Sequence, residues 1–294
     1  MHWNSAEIKV IGISSFATMI KLHSPGRLEL KMPDLPKLPL GIGKRQREPD
    51  EWDKTIVAFQ SPYRLKDLCI DQSLDRAEDT NRVSHQEFKV RLANTDDRRK
   101  SASLLIQKMY SWRGYDSPDL MHDPYKITLV AYQGDSVAGT LTLGLDSPQG
   151  MVVDQLYKAE ADKLRAEGRR ICDVTKLAVD QDIKSKSVLG ALFHLSVIYG
   201  RNIHNATDFL IEVNPRHALF YQRMIGFVPW GEERLCSRVN APAVLLKLDL
   251  AYADEQVKKY GGLGASAQGV KSIYPYWFSK EDELGITQRL LKGE

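Results

Sequence analysis

Residues 171–213 contain, in order, ICDVTKLAVD (171–180), SKSVLGALFHLSVIYGRNI (185–203) and DFLIEV (208–213). The first and last are short, rich in β-branched residues and bounded by polar turns, which predicts strands. The middle segment is apolar over most of its circumference at helical spacing, which predicts a central, buried helix. A β-α-β unit therefore lies at the heart of the fold. Toward the C-terminus, Asn214 is placed to cap a short helix with Pro215 at its first position, where the missing N–H costs nothing. Gly226 ends that helix, FVPW follows, and APAVLLKLDL (241–250) reads as a last strand. Toward the N-terminus, Asp154 is expected to cap a helix with Leu156, Tyr157, Ala161 and Leu164 on its apolar face, closed by Gly168. KITLVAY and VAGTLTLGL are two strands joined by a Gly134-Asp135 hairpin turn. FKVRLA is a strand that leads, through a Thr95 cap, into a helix carrying Ala102, Leu105, Ile106 and Met109. From residue 86 to 250 the order is β-α-β-β-α-β-α-β-α-β-β, an α/β class with a mixed, twisted sheet and helices on both faces.

The flanks read differently. Residues 1–85 form an N-terminal extension in which Pro25, Pro33, Pro36, Pro39 and Pro49 mark a linker. It carries a basic KRQR (44–47), a TIVAFQ strand candidate and a possible helix near Leu65, Leu68 and Cys69. Residues 251–294 form a tail. Gly261, Gly262, Gly264 and Gly269 lack the spacing of a dinucleotide fingerprint and read as a loop. Tyr274, Tyr276, Trp277 and Phe278 are expected to dock on the domain. Of the 294 residues, 43% are hydrophobic and 27% charged, which excludes whole-chain disorder; 41 Lys plus Arg against 38 Asp plus Glu give +3, which is no bulk nucleic-acid binder. The 3 cysteines are widely spaced and show no disulfide or metal pattern, which points to a reducing, cytoplasmic setting. No apolar run is long enough for a transmembrane segment.

Two segments carry candidate chemistry. In CDVTKLAVD, alternation puts Asp173, Thr175, Leu177 and Val179 on one face, with Cys172 on the other. A carboxyl inside an apolar central strand has its pKa raised by desolvation, toward values suited to a general base. In NPRHALFYQRMIGF (214–227), a capped helix carries Tyr221 ahead of a Gly-Phe pair. This second segment resembles the closing motif of the GNAT acyltransferase superfamily, in which a tyrosine can protonate the leaving thiolate. Four residues separate Tyr221 from Gly226, where the superfamily commonly has three.

The chain resembles the N-acyl amino acid synthases, close to the long-chain N-acyl tyrosine synthases and related in fold to acyl-homoserine lactone (autoinducer) synthases. The likeness rests on YSWRGY (110–115), VAGTLTL (137–143), CDVTKLAVD, VNPRHALFYQRMIGF and VNAPAVLLKLDL (239–250). It implies a GNAT-like acyltransferase domain over 86–250. It also implies transfer of a fatty acyl group from acyl carrier protein to the amine of an amino acid, with a product able to partition into membranes. Asp173, Thr175 and Lys176 fall on the autoinducer branch's acid-hydroxyl-cation pattern, with aspartate for glutamate and lysine for arginine.

Several roles follow from that resemblance. Asp173 is the candidate base, with His217 as the alternative, and Tyr221 the candidate acid. Arg113, Lys176 and Arg216 are candidates for the acceptor's carboxylate, with Asn214 and His217 beside them. The pyrophosphate loop of coenzyme A users is missing from QDIKSKSVLGA (181–191): Gly190 comes too late and has no second glycine. Lys184, Ser185, Lys186 and Ser187 are instead candidates for the single phosphate of a phosphopantetheine arm. No tightly bound cofactor and no metal are expected. Leu141, Leu143 and the central helix are the expected walls of an acyl slot. Lys163, Arg165, Arg169 and Arg170, or Lys184, Lys186 and Arg201, are candidates for a basic face toward an acidic carrier protein. An autoinducer synthase, or a catalytically silent carrier-binding module, are the alternatives.

Overall fold

The computed structural model describes residues 55–61, 86–111, 119–180 and 185–292. Eight strands form one sheet in the order β1-β2-β3-β4-β5-β6-β8-β7. They are β1 (Thr55–Ser61), β2 (Gln86–Leu92), β3 (Lys126–Gln133), β4 (Ser136–Leu145), β5 (Ile171–Val179), β6 (Asp208–Val213), β7 (Val228–Cys236) and β8 (Ala241–Asp249). β5 and β6 run parallel, while the other neighbouring pairs are antiparallel. The helices are α1 (Asp96–Ser111), α2 (Asp154–Ala166), α3 (Lys186–Val197), α4 (Pro215–Ile225), α5 (Leu250–Tyr260) and α6 (Lys280–Lys292), with a π-helical turn at Ile198–Ile203 after α3. The element order expected over 86–250 is the one observed. The Pro-rich stretch, KRQR, Cys69, Arg113 and Lys184 lie outside the described residues.

Local chemistry sets the boundaries. Thr95 accepts the Arg98 N–H at 3.4 Å and opens α1. Asn214 accepts the Arg216 N–H at 3.2 Å, Pro215 follows, and Gly226 closes α4 in the left-handed region at φ +89°. Asp154 does not cap as expected. It is the first residue of α2, and its carboxylate accepts the Met151 N–H at 2.7 Å and binds Arg165.

α1 and α2 cover one face of the sheet, α3 to α6 the other. Along β5, Ile171 packs with Leu164 and Tyr157 of α2, whereas Cys172 and Val174 pack with Leu189 and Phe193 of α3. Burying such side chains stabilises by roughly 1.5–3 kcal/mol each. The segment that follows β8 belongs to this core: Tyr274 and Trp277 are fully buried in the cluster that holds α3, and Ile286 of α6 joins them. Gly190 has a different use from phosphate binding. A Cβ there would lie 2.7 Å from the Tyr276 carbonyl oxygen, so glycine lets the C-terminal segment lie directly on α3.

The feature that makes room for a site is the parting of β5 and β6. Their ladder runs through Ile171–Asp208, Cys172–Phe209 and Asp173–Leu210 and stops there. Beyond Asp173, β5 follows β4 and β6 follows β8. β5 also bulges: Thr175 pairs with Thr142 and Ala178 with Thr140, so Lys176 and Leu177 stand opposite Leu141 alone. Lys176 takes φ +51°. The displaced carbonyls are satisfied by side chains, Lys176 O by the Thr140 hydroxyl at 2.9 Å and Leu177 O by the Tyr110 hydroxyl at 3.2 Å. The bulge corrects the simple alternation. Asp173 and Thr175 share a face, but Leu177 and Val179 turn toward the α3 side, and Ala178 packs on Leu105 and Ile106 of α1.

Candidate functional site

A cavity of about 1150 Å³ occupies the wedge between the parted strands. β5 supplies Asp173 to Leu177, β6 supplies Ile211 to Val213, and α4 supplies His217 and Tyr221 from behind its Asn214 cap. Val152, Val153 and Gln155 close it at the start of α2, and Arg238 closes it from the β7–β8 turn.

Asp173 sits where the strands separate and is 2% exposed. One oxygen accepts the Val153 N–H at 3.0 Å. The other rests against Gly144, where a Cβ would fall 2.1 Å from it. Burial pushes the carboxyl up to about 7, against backbone hydrogen bonds from Val153 and Val152 that favour its charge. The result is an acid that exchanges a proton near neutrality on a cavity wall. Cys172 points the other way, into the α3 core, and burial pushes its thiol up to about 12, which disqualifies it as a nucleophile.

The other sequence candidates divide. Thr175, Lys176, Asn214, His217 and Tyr221 line the same cavity as Asp173. Burial lowers the Lys176 pKa. Tyr221 is held by edge-on contacts with Phe193 and Phe227, ring centres 6.4 and 6.0 Å away. The Arg216 guanidinium, exposed outside the cavity, donates to His217 Nε2 at 3.3 Å. Ser185 accepts the Val188 N–H as the α3 cap, and Lys186 is buried over the Tyr276 ring at 5.1 Å. Neither they nor Ser187 line the cavity.

Two expectations change. Leu141 and Leu143 face α3 in the closed core, so they are not cavity walls; Val174, Leu177, Phe193, Ile211 and Val213 supply the apolar lining instead. The basic clusters are largely spent within the fold. Arg165 binds Asp146, Asp154 and Asp162, Arg169 binds Asp208 and Asp249, and Arg201 binds Asp254.

Glu212 and Arg238 escaped the sequence reading. Glu212 faces the cavity from β6, and burial pushes its carboxyl up against the pull of Arg238. The one signal for it was an acid between Ile211 and Val213, the pattern that singled out Asp173; Arg238, in a turn, gave none. No group of three His, Cys, Asp or Glu among the described residues is arranged to hold a metal. No helix among them is long and apolar enough to cross a membrane.

Comparison with known proteins adds identity to this geometry. The family model described as N-acyl amino acid synthase FeeM matches residues 101–249, from α1 to the end of β8. A search of curated proteins returns no match. The structure of FeeM, an N-acyl amino acid synthase from uncultured soil microbes, superposes with a TM-score of 0.53 and 24% identity over 57% of this chain and 93% of that one, which shows a shared fold. An acyl-CoA N-acyltransferase from Pseudomonas aeruginosa (TM-score 0.39, 15% identity, 55% of this chain and 98% of that one) superposes too loosely to carry an argument. The same holds for the AHL synthase LasI (TM-score 0.41, 12% identity, 56% and 91%). Because the family model runs through both parted strands, the Asp173 wall and α4, the chain belongs to the N-acyl amino acid synthase FeeM family, N-acyltransferases that join an acyl group to an amine.

Proposed function

We propose that this protein moves a fatty acyl group from the phosphopantetheine thioester of an acyl carrier protein to the α-amine of a free amino acid, with Asp173 as general base. The observation that carries the reading is Asp173 itself, a carboxyl near neutrality at the point where the strands open onto the cavity. The acceptor arrives as an ammonium, which is not a nucleophile, and Asp173 takes one proton from it. Positioned general-base catalysis typically contributes about 10²- to 10⁴-fold. The neutral amine attacks the thioester carbon, the N–C bond forms, and the tetrahedral intermediate collapses with cleavage of C–S. The thiolate takes a proton from Tyr221, which recovers one from the second N–H proton of the attacking nitrogen. Backbone N–H groups near the β5 bulge, Leu177 to Val179, are the candidate oxyanion donors; one such donor is typically worth about 3 kcal/mol.

The carrier-protein donor is supported by the start of α3. Gly190 is occupied by the Tyr276 backbone and Ser185 by its capping bond, which leaves no glycine pair there for a coenzyme A pyrophosphate. Lys184 stays a candidate for the single phosphate of the pantetheine arm. A reducing, cytoplasmic setting accords with the buried free thiols of Cys172 and Cys236. Incubation of the full-length protein with acyl-carrier protein and a pool of L-amino acids tests the reading. Thiol release with an N-acyl amino acid in the mass spectrum is expected, and the same yield from acyl-coenzyme A with no carrier protein would overturn the donor assignment. A lactone formed at the expense of S-adenosylmethionine would replace the reading with an autoinducer synthase.

A further inference from the structure

Within the cavity, Glu212 and Arg238 hold two opposite charges side by side. Arg238 Nη2 donates to both Glu212 oxygens at 2.8 Å, and Nη1 donates to Gln155 Oε1 at 3.0 Å and to Val152 O at 3.4 Å. The guanidinium is thus held by Glu212, Gln155 and the Val152 carbonyl through its two Nη groups. The Glu212 side chain is 10% exposed and that of Arg238 33%. Taking a charged pair out of water costs free energy that an apolar pair in the same place does not, so the pair is weak as a device for stability alone. It is, however, complementary to one class of small molecule, a zwitterion whose cation and anion are both attached to one carbon.

We propose that Glu212 and Arg238 are the clamp that recognises the acceptor as a free α-amino acid, Glu212 taking the α-ammonium and Arg238 the α-carboxylate. The inference rests on the reading of this cavity as the acyl-transfer site and assigns the residues that select its acceptor. Exchange of the internal pair for the zwitterion conserves charge, so neither protein group is left unpaired. An ester or amide of the amino acid leaves Arg238 without its anion, and so does a simple amine; a carboxylic acid without an amine leaves Glu212 without its cation. Specificity of this kind comes from the penalty on the wrong ligand as much as from contacts to the right one. The clamp also delivers the nitrogen to the base. Glu212 and Asp173 line the same cavity, so an ammonium held by Glu212 lies in the space that Asp173 borders. Arg238 ties the two groups together through Val152 O, next to the Val153 N–H that holds Asp173.

Calorimetric titration of the full-length protein, without donor, with each L-amino acid and with its methyl ester tests the clamp. The free acid of the best binder is expected to bind roughly 10- to 100-fold more tightly than its ester. Arg238→Gln is expected to bring that ratio close to one, and Arg238→Lys to give an intermediate ratio, because lysine keeps the charge and loses the fork. A ratio within one variant is independent of how much of the sample is folded. Equal binding of acid and ester by the unaltered protein overturns the clamp, as does an Arg238→Gln variant that weakens both ligands by one common factor. Selective binding of free amino acids without any thiol release from an acyl-carrier protein leaves the clamp standing and sinks acyl transfer, so the two failures are distinct.

Discussion

Asp173 and Glu283 are both carboxyls that burial works against, and they settle on opposite sides of the ordinary range. Glu283 is surrounded by donors, whereas Asp173 has backbone N–H groups and no cation, so burial wins and carries it to about 7. A folded-state pKa above the unfolded value of 3.8 means that the native protein holds this proton longer. The stability from that difference is complete below pH 3.8 and is lost as pH rises through 7. Turnover should run the opposite way, climbing through pH 7 as the base ionises. Asp173→Asn keeps the acceptor for Val153 N–H and removes the charge. It is expected to lower kcat by about 10²- to 10⁴-fold while its Tm above pH 7 equals or exceeds that of the unaltered protein; a fall in Tm with full activity would assign Asp173 a structural role. Gly144 approaches the same carboxyl from β4. A methyl group there meets Asp173 Oδ1 at 2.1 Å with strand ladders on either side, so Gly144→Ala must move the acid. Overpacking of this kind typically costs about 1–3 kcal/mol, and kcat is expected to fall with it, read from paired thermal melts and thiol-release assays.

β5 shows what a strand can hide in its sequence. Thr95, Asn214 with Pro215, Gly226 and the Gly134 turn were legible because each acts on neighbours a few residues away. The bulge was not. Its left-handed residue is a lysine, and the groups that hold it are Thr140 on β4 and Tyr110 on α1, 36 and 67 residues distant. The alternation around Asp173 was therefore readable up to Thr175 and misleading after it, and Leu141 and Leu143, expected with the central helix to wall an acyl slot, pack on that helix in the closed core instead. Asp173 itself was visible as an acid among apolar neighbours, but its partner groups were not, since Glu212 and Arg238 meet across 26 residues through the β7–β8 turn. A non-glycine residue at φ +51° carries strain of about 1–2 kcal/mol. Lys176→Gly is expected to relieve part of it and raise Tm, and at the same time to raise KM for the acceptor, because a cation leaves the cavity wall. A variant that gained stability with KM unchanged would remove Lys176 from acceptor binding.

At the scale of the molecule, the segment beyond β8 is a clasp on α3. His194 of α3 is fully buried, stacked between Trp277 and Phe278 with ring centres 4.8 and 5.4 Å away. Its Nδ1 accepts the Phe278 N–H at 3.0 Å, which fixes the proton of the neutral ring on Nε2, 3.3 Å from Glu283 of α6. Glu283 also accepts from Lys280 at 2.8 Å and from Asn202 at 2.9 Å. Burial holds the His194 pKa below the ordinary imidazole value of 6.5, despite the pull of Glu283. Burial opposes ionisation of Glu283 too, but the bonds from His194, Lys280 and Asn202 prevail and hold it at about 2. Both folded values lie below the unfolded ones, so both groups stabilise at neutral pH and lose that contribution on acidification. His194 weakens the fold first, as pH drops below 6.5, because the unfolded protein takes up a proton that the buried ring resists. Glu283 follows between pH 4.5 and about 2. With Asp173→Asn as background, which removes the opposing gain from that carboxyl, thermal melts from pH 8 to 4 should therefore show Tm falling below pH 6.5, with α6 and the 274–278 turn losing hydrogen-exchange protection before the sheet does. His194→Gln has no titrating ring. In the same Asp173→Asn background it is expected to start from a lower Tm at pH 8 and to show a flatter profile between pH 6.5 and 5, with the acid limb below 4.5 retained because Glu283 keeps Lys280 and Asn202. If the variant kept the unaltered slope between pH 6.5 and 5, the proton would belong to another group and the clasp would not be its sensor.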